Sequence, residues 1–273
     1  MGKRCASLNV QTHPLPRGGT DLFGHGKSVF QACDRERFRG TDKNVCPTPL
    51  VKKKFSAKGF LGLHLVAGIM VFATMTLTLA EISEDIIKHE PLTVADAQLS
   101  TFLHAHGSPF LTSVMFVATS FGSTVTVTCI SVALGLYLLW RRRFFWFAVL
   151  VSSVAGGALL NRLLKYAFHR PRPHFDDPIL RLTSYSFPSG HTMIATVLYG
   201  ALAAYLLART PDSGRRFIII VSASFLIALV GFSRIYLGAH YLSDVLAAMA
   251  EGLAWLSLCL TVVYSVWQRR TTG

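Results

Sequence analysis

Six apolar stretches, each close to or above the roughly 20 residues that a helix needs to cross the hydrocarbon core of a bilayer, dominate this sequence beyond residue 59. They lie at about residues 60–80, within 110–140, at 144–161, along GHTMIATVLYGALAAYLLA from Gly190, at 217–232, and from 240 to 267. Inside a bilayer every backbone N–H and C=O must find its partner within the protein, so only helices or a closed barrel can span. No run alternates with the period of two that barrel strands require. The expected fold class is therefore all-α, a polytopic membrane protein with six transmembrane helices. Composition agrees: 51% of the 273 residues are apolar and 15% are charged, whereas a soluble domain carries about 25% charged residues. A soluble globular protein is excluded, and nucleic-acid binding by a basic soluble domain goes with it, despite a net charge of +13.

Residues 1–58 are rich in Gly, Pro and charge and contain no apolar stretch long enough for a signal peptide, so they are expected to form a polar, basic, poorly ordered cytoplasmic tail. Residues 59–270 are expected to form the six-helix membrane domain. Between the first two spans, Leu92, Ala95, Leu99, Phe102 and Leu103 recur at helical spacing, and Thr93 followed by Asp96 reads as a capping box. Residues 93–104 are expected to be a short helix lying in the membrane interface. The five cysteines, Cys5, Cys33, Cys46, Cys129 and Cys259, show neither disulfide nor zinc spacing, and the two within spans read as small apolar core residues.

The basic residues set the orientation. KKKFSAK precedes the first span, WRRRFFW separates the second from the third, ARTPDSGRR separates the fourth from the fifth, and WQRRTTG follows the sixth. By the positive-inside tendency these belong to the cytoplasmic side, with both termini there. The loops 81–109, 162–190 and 233–239 then share the other face, which in a bacterium is the periplasmic face of the inner membrane. The first of these is acidic, with Glu81, Glu84, Asp85, Glu90 and Asp96. The second breaks the rule: Arg162, Lys165, Arg170, Arg172 and Arg181 outnumber Asp176 and Asp177. A basic cluster on that side calls for a reason other than topology.

Three polar stretches meet on this face: KYAFHRPRP from Lys165, PSGH from Pro188, and SRIYLGAHYLSD from Ser233 to Asp244. Arg172 and Arg234 offer planar forks of donors for phosphoryl oxygens, and Lys165 adds a point charge. Pro188 halts the preceding loop, Ser189 can cap the helix that follows, and the free amides near Gly190 suit an anion. His240 and Asp244 are four apart at a helix start, so the carboxylate can fix the imidazole tautomer that leaves the other nitrogen free to attack. His191, on a different helix, is placed to protonate a leaving oxygen and then to activate water. The inventory describes a two-step phosphoryl displacement through phosphohistidine. No carboxylate cluster suggests magnesium, so no metal and no cofactor is expected.

These residues match, position by position, the tripartite signature K-x6-R-P, P-S-G-H, S-R-x5-H-x3-D. The chain thereby resembles the type 2 phosphatidic acid phosphatase (PAP2, or lipid phosphate phosphatase) superfamily, in its integral-membrane branch. The resemblance spans residues 60–268 and implies a metal-independent lipid phosphatase. In it His240 is the nucleophile, Asp244 its orienter and His191 the acid and base, while Lys165, Arg172, Ser189, Gly190 and Arg234 hold phosphate. It also implies inhibition by vanadate. Family frequency favours a polyprenyl diphosphate such as undecaprenyl diphosphate as substrate, with phosphatidic acid, phosphatidylglycerol phosphate and a lipid A phosphate as alternatives. A phosphotransferase that passes the phosphoryl group to an acceptor other than water is a further alternative, and a non-enzymatic transporter or scaffold is another.

Other polar residues are less determined by sequence. His169, His174 and Arg170 adjoin the signature and either gate the site or face water. His64, His104 and His106 read as polar helix positions. Glu251 falls on much the same helix face as Asp244 but roughly 10 Å deeper, which suits a partner within the bundle rather than catalysis. The small and hydroxyl-rich run TSFGSTVTVT, from Thr119 to Thr128, is expected to serve close helix packing.

Overall fold

The computed structural model describes residues 57–88, 91–175, 177–180 and 182–272, with the side chains of 57–64 and 270–272 excepted. The expectations for residues 1–56, Glu90, Asp176, Arg181 and the His64 side chain lie outside these. Eight helices are described: α1 (Ala57–Lys88), α2 (Pro91–Ala105), α3 (Pro109–Ser120), α4 (Thr124–Trp140), α5 (Phe144–Phe168), α6 (Gly190–Leu207), α7 (Ser213–Tyr236) and α8 (Leu242–Thr272). Six spans long and apolar enough to cross a membrane result, because α3 and α4 together make the second. α6 is the central post, packed by α5, α7 and α8, while α1 lies outside along α8. The outward surface is apolar, with Ile69, Leu77, Phe110, Val125, Phe217 and Phe225 exposed. For a chain in lipid that is the expected inversion, since acyl chains are as apolar as the core.

The boundaries follow local chemistry. Ser108 caps α3, its hydroxyl accepting from the Leu111 N–H at 3.3 Å, and Pro109 fills the first turn, where no N–H is needed. Ser123 restarts the chain as the cap of α4, accepting from the Thr126 N–H at 3.2 Å. The second span, read as one long segment, is therefore broken at residues 121–123. Gly122 sits in that break, where a β-carbon would lie 2.6 Å from Val230 Cγ1 and 2.9 Å from the His191 carbonyl oxygen. Only glycine lets the break press against the start of α6. α5 runs on to Phe168, past the expected end at 161, because nothing breaks it before left-handed His169 (φ 48°) and the following Arg170-Pro171.

α2 begins at Pro91, so Thr93 is a residue within the helix and the expected capping box does not form. Asp96 instead turns inward and is 1% exposed. The Tyr236 hydroxyl accepts from the Ser108 N–H at 3.0 Å and lies 3.3 Å from the Thr112 hydroxyl, which pins the α2–α3 connection to the end of α7. Cys259 is buried as expected for a core residue, but Cys129 is exposed on the outer surface.

The turn from α7 to α8 depends on Gly238, whose φ is +67° and whose absent β-carbon would meet the Phe175 ring at 2.9 Å. A side chain there meets both the left-handed penalty and the ring. Gly238→Ala is expected to lower stability by about 1–2 kcal/mol, read as an earlier thermal unfolding midpoint of the detergent-solubilised protein. An unchanged midpoint would contradict the turn geometry.

Candidate active site

Because successive spans alternate in direction, the C-terminal ends of α5 and α7 and the N-terminal ends of α6 and α8 share one end of the bundle. That end gathers the eight candidate site residues, Lys165, Arg172, Ser189, Gly190, His191, Arg234, His240 and Asp244. Arg234 closes α7, and its carbonyl accepts from the N–H groups of Ala239 at 3.0 Å and His240 at 3.2 Å, so the turn carrying His240 is folded back onto Arg234. Ser189 begins α6, and its N–H donates to the Asp244 carbonyl at 3.1 Å, joining the second stretch to the third.

His240 is 2% exposed. Its Nδ1 lies 3.5 Å from Asp244 Oδ2 and 3.4 Å from the Ser186 hydroxyl, and its Nε2 lies 3.3 Å from Arg172 Nη1. A guanidinium has no acceptor, so the nitrogen facing it carries the lone pair and the proton resides on Nδ1, toward the carboxylate. Burial pushes the His240 imidazole down to about 3, against the opposing influence of Asp244. The ring is thus neutral near pH 7, with its unprotonated nitrogen turned to the cationic side of the site. Asp244 is fully buried and accepts from Arg170 Nη1 at 2.6 Å on one oxygen, and from Ser186 and the Tyr241 N–H at 3.0 Å on the other.

The cations are held by a strap formed by residues 184–186. Lys165 Nζ donates to the carbonyls of Tyr185 at 2.9 Å and Ser186 at 3.4 Å. Arg172 donates to the Ser184 carbonyl at 2.6 Å, the Ser184 hydroxyl at 2.9 Å and the Ala239 carbonyl at 2.5 Å. Burial draws the Arg172 guanidinium below its ordinary value while Asp244 works the other way. Arg234, 4% exposed, donates through Nη1 to the Thr119 hydroxyl at 2.9 Å, and its buried Nε–H has no partner among the described residues. A buried donor left unpaired costs about 1–3 kcal/mol, and a phosphoryl oxygen is the kind of group that satisfies it. Arg234, Arg172 and Lys165 all act electrostatically on the His191 imidazole at the start of α6.

Two residues behave differently from expectation. Ser189 occupies the cap position of α6, but its hydroxyl pairs with the Thr192 hydroxyl at 3.0 Å rather than with a backbone amide. Arg170 neither gates nor faces water: it is 9% exposed, stacks over the Tyr241 ring at 4.4 Å, and bridges Asp244 to Asp96. Burial opposes its charge, yet Asp244 and Asp96 outweigh that and hold its guanidinium above the ordinary value. His169 packs edge-on to Tyr185, and exposed His174 lies beside Arg172 on a cavity of about 550 Å³ walled by Pro171, Pro173 and Phe175. His104 stacks on Phe175 at 4.0 Å. Glu251 has the bundle partner it needed, accepting from Asn161 Nδ2 at 2.9 Å.

Ser186 and Asn161 carry no expectation from the sequence, Asp96 was expected only in a local capping box, and Thr119 only in helix packing. Ser186 stands two residues before the PSGH stretch and was within reach of a search for hydroxyls near the signature. Asp96 was not, since its partner Ser243 lies 147 residues away. Among the described residues no group of three or more His, Cys, Asp or Glu side chains is arranged to hold a metal.

Known proteins resemble this chain in sequence and in fold. Residues 146–268 match the model of the PAP2 superfamily. Phosphatidylglycerophosphatase B of Bacillus subtilis is 34% identical over 161 residues, which are 58% of this chain and cover 78% of that protein. A lipid A 1-phosphatase of Rhizobium johnstonii is 35% identical over 153 residues, 53% of this chain and 56% of that protein. Among solved structures, the transmembrane PAP2 type phosphatidylglycerolphosphate phosphatase from Bacillus subtilis superposes with a TM-score of 0.61 at 27% identity, over 74% of this chain and 96% of that one. Shared identity with a relative covered over most of its length, a shared bundle and the family match at residues 146–268 lead to one conclusion: this multi-pass membrane protein belongs to the PAP2 superfamily.

Proposed function

We propose that this membrane lipid phosphatase releases phosphate from a lipid phosphomonoester or diphosphate by two displacements at phosphorus, with His240 as nucleophile and without a metal ion. The observation that carries the reading is the division of the His240 ring, with Nδ1 toward Asp244 and Nε2 beside Arg172. In the first displacement the Nε2 lone pair forms a P–N bond as the P–O bond to the lipid breaks, and His191 gives its proton to the departing oxygen. In the second, water attacks the phosphohistidine, His191 takes the water proton, and the P–N bond breaks to free inorganic phosphate. Lys165, Arg172 and Arg234 hold the non-bridging oxygens, with Ser189 and Gly190 at the positive end of α6. The same cage suits vanadate as an inhibitor.

Orientation belongs to the same reading. Arg141, Arg142 and Arg143 lie between α4 and α5, and Arg209, Arg215 and Arg216 around the connection of α6 to α7, at the bundle end opposite His240. The positive-inside tendency then supports a bacterial inner-membrane protein with both termini cytoplasmic and the site at the periplasmic face. Undecaprenyl diphosphate, phosphatidic acid, phosphatidylglycerophosphate and a lipid A phosphate all present phosphate at the interface above apolar chains, so each fits this placement.

The test is a panel of these lipids, labelled with ³²P, given to the purified protein in one detergent with excess EDTA. At least one lipid is expected to release phosphate, with an alkali-stable label on the protein at short times that is absent from His240→Ala. Strict dependence on added magnesium would overturn the metal-free site, and label passed to an added alcohol in preference to water would make the protein a phosphotransferase.

A further inference from the structure

A buried carboxylate outside the signature reaches the catalytic pair from another helix. α2 is exposed along much of its length, with Val94 and Phe102 each more than half exposed, yet Asp96 on the same helix is 1% exposed. Both its oxygens are used. Oδ1 accepts from the Ser243 N–H at 2.9 Å, and Oδ2 accepts from Arg170 Nη2 at 2.9 Å and from the Ser243 hydroxyl. Ser243 is the second residue of α8, whose first amides have no partner within the helix. Asp96 therefore caps from α2 the helix that carries Asp244, and puts a negative charge at its positive end.

Arg170 completes the link. Its Nη1 donates to Asp244 Oδ1 at 2.6 Å and to the Ser243 hydroxyl at 2.7 Å, Nη2 is taken by Asp96, and its plane is pressed on Tyr241. A fork held at both tines and on its face has one position. It takes the Asp244 oxygen that does not face His240, and so fixes the rotation that aims the other oxygen at the imidazole, the Tyr241 N–H and Ser186. We infer that Asp96, acting through Arg170, is a positioning residue for the His240–Asp244 pair, which makes α2 a working part of the catalytic centre.

Electrostatics gives the inference a direction. Arg170 beside Asp244 alone would cancel the carboxylate, whereas Asp96 shares the guanidinium and leaves the trio with a net negative charge. That charge matters when His240 becomes cationic on accepting the phosphoryl group, not when lipid binds. Neutralising Asp96 with its shape kept should therefore slow turnover while leaving KM unchanged or lower.

The inference rests on His240 and Asp244 acting as proposed above, and a double-mutant cycle on the purified full chain separates the two. Misplacement by about 1 Å away from the chemistry costs about 100-fold, so Asp96→Asn is expected to lower kcat by about 10- to 100-fold, with KM unchanged or lower. In an Asp244→Asn background the same change should cost less than about threefold, because the group it positions is already lost. Should Asp96→Asn fail to accumulate in membranes, Arg170→Lys, which keeps the charge but loses the planar fork that holds the two carboxylates on separate nitrogens, takes its place in the cycle with the same expectation. Wild-type kcat, a rise in KM alone, or an equal loss in both backgrounds would overturn the inference. Turnover by His240→Ala would instead overturn the nucleophile assignment, whatever Asp96→Asn does.

Discussion

His240→Ala protein is expected to insert into membranes and purify like the wild type while losing phosphate release by at least about 10⁴-fold, the scale on which covalent catalysis fails when its nucleophile is removed. Insertion survives because the neighbours keep other partners: Arg172 retains the Ser184 and Ala239 carbonyls, and Asp244 retains Arg170, Ser186 and the Tyr241 N–H. Chromatographic behaviour, unfolding midpoint and initial rate would be measured on one preparation. Substantial turnover would end the covalent mechanism. The pH profile sharpens the expectation. Burial, the largest influence on His240, keeps it unprotonated down to about pH 3. The proposed nucleophile is therefore expected to stay unprotonated as pH falls through 6.5, so an acid limb of kcat/KM measured near that pH would belong to another group or to the substrate phosphate.

Asp244→Asn should be nearly as damaging, by about 10³- to 10⁴-fold in kcat, with the imidazole still in place. An amide facing His240 can donate to Nδ1, which moves the ring proton to Nε2 and removes the lone pair from the nitrogen that attacks phosphorus. The substitution also leaves Arg170 with one carboxylate where it had two. KM should move little, because Lys165, Arg172 and Arg234, the proposed holders of the anion, are left in place. A wild-type kcat in correctly inserted Asp244→Asn protein would show that the carboxylate does not set the tautomer.

What the sequence made legible and what it hid divide along a physical line. The six spans were readable because length and apolarity are local properties that a bilayer imposes on each segment separately. The clustering of Lys165, Arg172, Ser189, Gly190, His191, Arg234, His240 and Asp244 was readable because they fall near span ends on one face, where alternation of direction brings them together. The break at residues 121–123 was hidden, since Ser123 and Gly122 read equally well as small packing residues, and with it went the contact of Thr119 with Arg234. Asp96 shows a competition between local and distant partners. Thr93 at the spacing of a capping box suggested a local role, but the orphan amide of Ser243 and the cation of Arg170 claim the carboxylate. Bonds between separate helices have no period and no motif.

The hydrogen bond from Asn161 to Glu251 carries a mechanical consequence for the whole bundle. A slip of one residue turns a helix by about 100°, and here it would swing an amide or a carboxyl out among acyl chains, at a cost of roughly 2.5–3.5 kcal/mol for an acidic group. The pair works as a key in a keyway, fixing the screw setting of α5 on α8 where smooth apolar surfaces alone would let one helix slide along the other. Lys165 stands one turn beyond Asn161, and Asp244 two turns before Glu251. The height at which the Lys165 ammonium meets the Asp244 carboxylate is thus gauged from below, by the buried pair of Asn161 and Glu251.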